Sequence, residues 1–310
     1  MKMRNLGTKL LGTVLAVCMM GSVFSANGIE SRAATDDLPI DGFYEYDITA
    51  KKETRFTITI PEGNDVDMTM EGSAGTVSDE EESDTGIAPC SIIGDDNRVH
   101  VTDTKGLPNR WIAYIVSYWP DGTASRGTAW MYGPSVAMTA GHCIYNRSKH
   151  TYPSKIVLYP GYNDGTAPFG SYTAVKCSVP VNWRTSGEAK YDFGAVKLSS
   201  AYGSKRGFFG VKYKSKGTWK GQKVLITGYP GDKGKQLWRM AGNIVECTSS
   251  ILSYTIDTYG GNSGSPIYYG TGTTRYSIGI HTMGSSVMNS GTRITRTVFY
   301  WMRRQRQAWG

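Results

Sequence analysis

Gly261-Asn262-Ser263-Gly264-Ser265-Pro266 sets one serine among small, turn-forming residues, and far upstream Thr139-Ala140-Gly141-His142-Cys143 ends an apolar run on a histidine. A serine hydroxyl is a weak nucleophile near neutral pH unless a base removes its proton as it attacks. Ser263 and His142 are therefore read as partners. The glycines around the serine let backbone N–H groups turn inward with no Cβ in the way. The amides of Gly261 and Ser263 are the candidates for an oxyanion hole.

Such a pair needs an acid that holds the imidazole in the right tautomer. Asp192, in Tyr191-Asp192-Phe193-Gly194-Ala195-Val196, opens a strongly apolar run. A carboxylate is costly to bury there unless a histidine N–H compensates it. Glu188 and Asp164 lie in polar loops without that context. His100 and His150 sit among polar neighbours and read as surface residues. The chemistry requires no metal and no organic cofactor, and no nucleotide-binding glycine motif or internal repeat is present.

Around these motifs the chain reads as short strands broken by Gly, Pro, Asn and Asp: 112–118, 128–132, 135–139, 155–159, 172–181, 193–198, 223–228, 237–247, 251–258, 265–269 and 276–281. Frequent turns without long helical periodicity predict an all-β fold, an antiparallel sandwich or a pair of barrels. One helix is predicted, over 298–307, with Val298, Trp301 and Met302 on one face.

Residues 1–28 read as a secretory signal. Lys2, Arg4 and Lys9 precede an apolar stretch that ends near Val23-Phe24-Ser25, and that stretch is too short to favour a permanent membrane span. A secreted protein with no stable membrane insertion follows. Residues 26–90 carry 16 acids against 4 bases, whereas 91–310 carry 27 bases against 10 acids, a net of +17. That asymmetry divides the chain into an acidic pro-segment and linker over 29–90 and a basic domain over 91–310, with a solvated acidic linker as the alternative. Within the pro-segment, the alternation of residues 56–60 predicts a strand, and residues 71–89 are too polar to order themselves. Beyond Cys18, the cysteines are Cys90, Cys143, Cys177 and Cys247, whose pairing the sequence leaves open.

The motifs at 139–143, 192–194 and 261–266, in the order His, Asp, Ser, resemble the chymotrypsin-fold serine endopeptidases. More narrowly, the chain resembles the bacterial glutamyl endopeptidases from about Ser91 to its terminal helix. The resemblance implies two six-stranded antiparallel β-barrels with a C-terminal helix, and an active site between them. His142 and Asp192 would come from the first barrel and Ser263 from the second. Protein or peptide substrates, a monomer and no nucleic acid are expected. Ser91-Ile92-Ile93-Gly94 resembles the mature family N-terminus. A cut after Cys90 is not a cut after an acid, so a separate activating protease is expected beside self-cleavage at 80–82. Asn262 cannot form the ion pair that trypsin-type zymogens make with a new amino terminus, so the pro-segment works differently. Several family members pair the cysteine after the catalytic histidine with one on the preceding strand; here that strand, 126–130, has none.

Two features set specificity against each other. His281 and Thr258 match the residues that meet the substrate glutamate in the family, and Thr282-Met283-Gly284 would pair with the substrate backbone. Asp257 stands where trypsin keeps the carboxylate that binds Lys or Arg. Glutamate is expected, because His281 has no role in a trypsin-like pocket. A noncatalytic binder of anionic surfaces, using the basic domain and Arg303-Arg304-Gln305-Arg306, is the rival from another class.

Overall fold

The computed structural model describes residues 38–63, 66–76, 96–284 and 287–310. The predicted signal, Cys90 and the expected mature start at Ser91 lie outside them. Four short strands come first: β1 (Phe43–Asp47), β2 (Lys52–Phe56), β3 (Met68–Met70) and β4 (Val99–His100). The first barrel follows, from β5 (Ile112–Tyr118), β6 (Ala124–Met131), β7 (Val136–Thr139), β8 (Lys155–Pro160), β9 (Tyr172–Pro180) and β10 (Gly194–Leu198), and it closes through β9–β10 pairing. After β11 (Gly210–Tyr213), the second barrel comprises β12 (Lys223–Gly228), β13 (Trp238–Cys247), β14 (Ile251–Tyr254), β15 (Pro266–Thr271), β16 (Thr274–Met283) and β17 (Asn289–Arg293). It closes through β15–β16 pairing. Two six-stranded antiparallel barrels result, as the family resemblance implied.

Helices are few. Among the described residues, α1 (Val181–Thr185) and α2 (Tyr202–Arg206) are single turns, and α3 (Arg296–Trp309) is the terminal helix. Thr295 caps α3 by accepting from Val298 N, an interaction worth about 1 kcal/mol. Val298, Trp301, Met302, Gln305 and Trp309 recur at helical spacing and are buried against the barrels. No described helix is long and apolar enough to cross a membrane.

The strand at 289–293 escaped the sequence because Asn-Ser-Gly-Thr-Arg has no apolar alternation; pairing with β14 and β16 forms it. The predicted strand at 56–60 is displaced: β2 ends at Phe56. Phe56, Ile58 and Ile60 are still half-buried while Thr57 and Thr59 are exposed. Thr57, Ile58 and Thr59 share a cleft with Tyr300, Arg303, Arg304 and Gln307 of α3, and the Arg304 guanidinium lies over the Phe56 ring. Residues 71–76 also differ from the expected linker. Ser73 exchanges backbone hydrogen bonds with Phe208, and Thr76 N donates to Lys205 O.

Candidate active site

Register brings the histidine and the acid together. Thr139 at the end of β7 lies opposite Gly194 at the start of β10. His142, just past β7, and Asp192, just before β10, therefore emerge at the same end of the first barrel. His142 sits in the tight turn Gly141–Cys143, and Asp192 follows the turn Ala189–Tyr191. Asp192 Oδ2 accepts from His142 Nδ1 at 2.7 Å, and Oδ1 accepts from the His142 backbone N–H at 2.9 Å. The carboxylate is 4% exposed. Burial alone would disfavour the imidazolium, but the adjacent Asp192 charge outweighs it and holds the His142 pKa well above the ordinary value. In the neutral ring this contact keeps the proton on Nδ1 and leaves Nε2 as an acceptor.

Ser263 lies on the loop that enters β15. Its carbonyl accepts from Thr128 N of β6 at 2.9 Å, and the Cys143 thiol points at the same oxygen from 3.7 Å. The loops carrying residues 142 and 263 are thus in contact through the residue that follows the histidine. Among the described residues, the Ser263 hydroxyl has no hydrogen-bond partner, His142 Nε2 included. Catalytic bonds of this kind commonly tighten only when substrate is bound.

The loop conformation is one only glycine takes easily. Gly261 has φ +108°, and Gly264 has φ +92° with a notional Cβ 2.1 Å from Thr128 O. The N–H groups of Asn262, Gly264 and Ser265 are occupied by Tyr259 O, His281 O and Asn262 O. Those of Gly261 and Ser263 donate to no described acceptor, which suits an oxyanion site. Asn262 is fully buried and its amide atoms are unpaired among the described residues.

Thr128 went unnoticed in the sequence, yet its hydroxyl donates to Gly261 O at 2.9 Å and accepts from Tyr229 N at 3.0 Å. It ties the first barrel to the serine loop. Only its place as a fully buried polar residue reveals it, and burial is not visible in a lone threonine.

The residues that the sequence suggested for specificity lie beside this loop. His281 N donates to Ser265 O, and His281 O accepts from Gly264 N. The imidazole is 3% exposed, and its Nδ1 lies 2.6 Å from the hydroxyl of Tyr254, a second residue the sequence did not reveal. Burial first, and then the nearby His142, push the His281 pKa down to about 3, against a weaker opposing effect of the Ser290 backbone. Tyr254 is held well above its ordinary value by burial. The tyrosine therefore donates and Nδ1 accepts, so the His281 proton resides on Nε2. Thr258 Oγ1 and Asn289 Oδ1 lie 3.4 and 3.3 Å from where a Cβ at Gly284 would stand, so a side chain there would fill the gap between them. Thr282 is buried, whereas Met283 is 49% exposed at the end of β16.

Asp257, the carboxylate of the rival Lys/Arg reading, directly precedes Thr258. It is 3% exposed, and Oδ2 has no hydrogen-bond partner among the described residues. Burial pushes its pKa up to about 6, and the groups that act on it are Asn97, Asp96 and Arg98 at the start of the described basic domain. Among the described residues, Cys143, Cys177 and Cys247 form no disulfide with one another. Cys143 Sγ would lie 2.7 Å from a Cβ at Gly127, so the thiol fills the space beside β6 that this glycine leaves.

Comparison with known proteins agrees with this geometry. A family model described as a trypsin-like peptidase domain matches residues 127–274. The chain is 39% identical to the glutamyl endopeptidase of Bacillus licheniformis over 219 residues, covering 67% of each protein. It is 34% identical to a Bacillus subtilis protein named extracellular metalloprotease, over 69% of this chain and 71% of that one. Among solved structures, a Glu endopeptidase in complex with MPD superposes with a TM-score of 0.63 at 31% identity, covering 70% of this chain and 99% of that one.

Proposed function

Proceeding from the glutamyl endopeptidase family of trypsin-like serine peptidases, to which this chain belongs, we propose that it cleaves peptide bonds after glutamate through Ser263, His142 and Asp192. The chain is a serine endopeptidase, and its substrates are proteins or peptides. The observation that carries the triad is the buried Asp192 carboxylate gripping both the ring and the backbone of His142, on a loop in contact with the Ser263 loop.

Ser263 Oγ attacks the scissile carbonyl while His142 Nε2 takes its proton. Asp192 keeps the other ring proton on Nδ1 and stabilises the imidazolium. Negative charge that develops on the carbonyl oxygen is met by the amides of Gly261 and Ser263; one such donor is typically worth about 3–4 kcal/mol. His142 then protonates the departing amine. Water, deprotonated by His142, releases the acyl group and restores the serine.

A substrate glutamate enters beside Thr258 and Gly284, accepts from the Thr258 hydroxyl, and competes with the Ser290 backbone carbonyl for His281 Nε2–H. The free enzyme holds His281 neutral, so the carboxylate first meets a hydrogen-bond donor, and its own charge then favours protonation of the ring. Burial disfavours a charged Asp257, which counts against a pocket built for Lys or Arg. The net +17 of residues 91–310 draws acidic substrates to the protein. Residues 1–28 direct secretion, 29–90 form the pro-segment, and a second protease makes the cut after Cys90.

Ser263→Ala tests the mechanism. A folded variant with no turnover and no labelling by a serine-directed phosphonate is expected; retained hydrolysis would exclude this nucleophile. A peptide library reads specificity: cleavage after Glu, weakened by His281→Ala, is expected. Cleavage after Lys or Arg, lost in Asp257→Asn, would overturn it.

A further inference from the structure

The described residues of the acidic N-terminal region, 38–63 and 66–76, pack against β9, α3 and β11. β1 pairs antiparallel with β9, from Phe43 opposite Pro180 to Asp47 opposite Lys176, and β2 closes a hairpin on β1. Phe43 is 1% exposed. It stacks on Trp301 of α3 at 5.2 Å between centroids and reaches Phe193, the residue after Asp192, at 6.4 Å. Charge reinforces the seating: Glu45 accepts from Lys176 at 2.8 Å, Glu53 pairs with Arg184, and the Arg304 guanidinium lies 3.7 Å from the Phe56 ring centroid. The chain then crosses α3, where Arg306 donates to Glu71 O at 2.8 Å. It reaches β11, which pairs with β3.

The segment therefore bridges the first barrel, α3 and the β11 strand attached to the second barrel. Among the described residues, none of its hydrogen bonds, ion pairs or ring contacts involves His142, Ser263, residues 257–264 or residues 281–284. Its grip combines a buried aromatic anchor, a strand on a sheet edge and opposite charges. That is the anatomy of a peptide bound by β-strand addition, with affinity from the main chain and specificity from side-chain sockets. The arginines of α3, which sequence alone could assign to an anionic surface, are engaged here with the protein's own N-terminal region. A docked segment of this kind has no need to leave when the chain is cut.

We propose that residues 38–76 are a clamp that stays bound to the catalytic domain, outside the catalytic cleft, after the chain is cut between the two. The proposal rests on the pro-segment reading of 29–90 and extends it by assigning where the segment sits and that it is retained.

The test uses the full chain carrying Ser263→Ala, with a recognition site for an unrelated sequence-specific protease placed between Thr76 and Asp96. After cutting, size-exclusion chromatography at low and high salt reads association. The fragment is expected to co-elute with the domain at low salt. In a Phe43→Ala chain the fragment should bind about 100-fold or more weakly, from the cost of truncating a buried phenylalanine. Glu45→Lys, which removes no buried apolar group, should weaken binding about 10-fold and reduce its salt dependence, and it carries the test if the Phe43 variant fails to fold. A wild-type fragment that separates on the column at low salt overturns retention. In the Ser263 form, phosphonate labelling at one rate with the fragment bound or removed is expected, and faster labelling after removal overturns its placement outside the cleft. Absence of labelling in every form would instead refute the serine mechanism and leave the association result standing.

Discussion

Tyr254→Phe isolates the contribution of a single oxygen to glutamate recognition. The Tyr254 hydroxyl lies 2.6 Å from His281 Nδ1, with the tyrosine 0% and the histidine 3% exposed. Because the tyrosine keeps its proton and the ring is neutral, the bond fixes the His281 tautomer with the proton on Nε2, the form that can donate to a substrate carboxylate. The phenylalanine variant leaves a buried acceptor unpaired, at a cost of about 1–3 kcal/mol. If that cost is met by letting the ring rotate or change tautomer, it appears in recognition as a loss of about 5- to 150-fold. The assay compares kcat/KM for two peptides that differ only in Glu or Gln before the scissile bond. The Glu value should fall by that factor and the Gln value much less, so the preference narrows. Chemical unfolding run in parallel reports how much of the cost falls on stability. If the Glu/Gln ratio stays within about twofold of wild type while stability drops by about 1–3 kcal/mol, Tyr254 only packs against the histidine, and the tautomer argument is wrong.

Asp192→Asn should lower kcat by about 10⁴-fold, the loss typical when a triad histidine is left in the wrong tautomer. The acid limb of kcat/KM, set above the ordinary histidine value chiefly by Asp192, should move down with it, because burial then loses its main opponent; a pH–rate profile checks both, and an unshifted limb would place its titration elsewhere. For Asp257, a carboxyl pKa raised from 3.8 to about 6 makes the charged form a liability in the folded protein above that pH. Asp257→Asn should therefore be more stable than wild type at pH 8, by up to about 3 kcal/mol, with the difference shrinking as pH falls through 6 and vanishing near 4. Urea unfolding across that range decides it, and the Glu/Gln preference should not change. Gly264→Ala forces a Cβ to within 2.1 Å of Thr128 O at φ +92°; a loss of about 3 kcal/mol or more in unfolding, together with loss of phosphonate labelling, is expected.

What the sequence made legible was local chemistry and what it hid was long-range pairing. The Ser263 loop, the His142 turn and Asp192 each announce themselves through small neighbours or an apolar strand, because turn chemistry and strand patterning are written in adjacent residues. Most barrel strands were placed for the same reason, and 112–118 and 223–228 match their observed bounds. Tyr254 and Thr128 could not be read this way. Each acts on a partner remote in sequence, His281 for one and the Ser263 loop for the other, and only the closed barrels bring them together. Strand β17 failed from the other direction, since its polar residues join the sheet through their neighbours and not through their own preference.

The acidic region gives the sharpest instance of this limit. Its charge left two readings open, a pro-segment or a solvated linker, and only residues 71–89 were too polar to order themselves. Here the order is supplied from outside. The edge of β9, the Trp301–Phe193 socket and the arginines of α3 form one template, and a hairpin with a single buried phenylalanine and well-placed carboxylates is enough to dock on it. Charge asymmetry between the two parts of the chain, visible from the start, was thus a signal of their mutual binding, but it could not say which face would carry it. That face includes Phe193, the immediate neighbour of Asp192, so the hairpin packs behind the turn that carries this carboxylate.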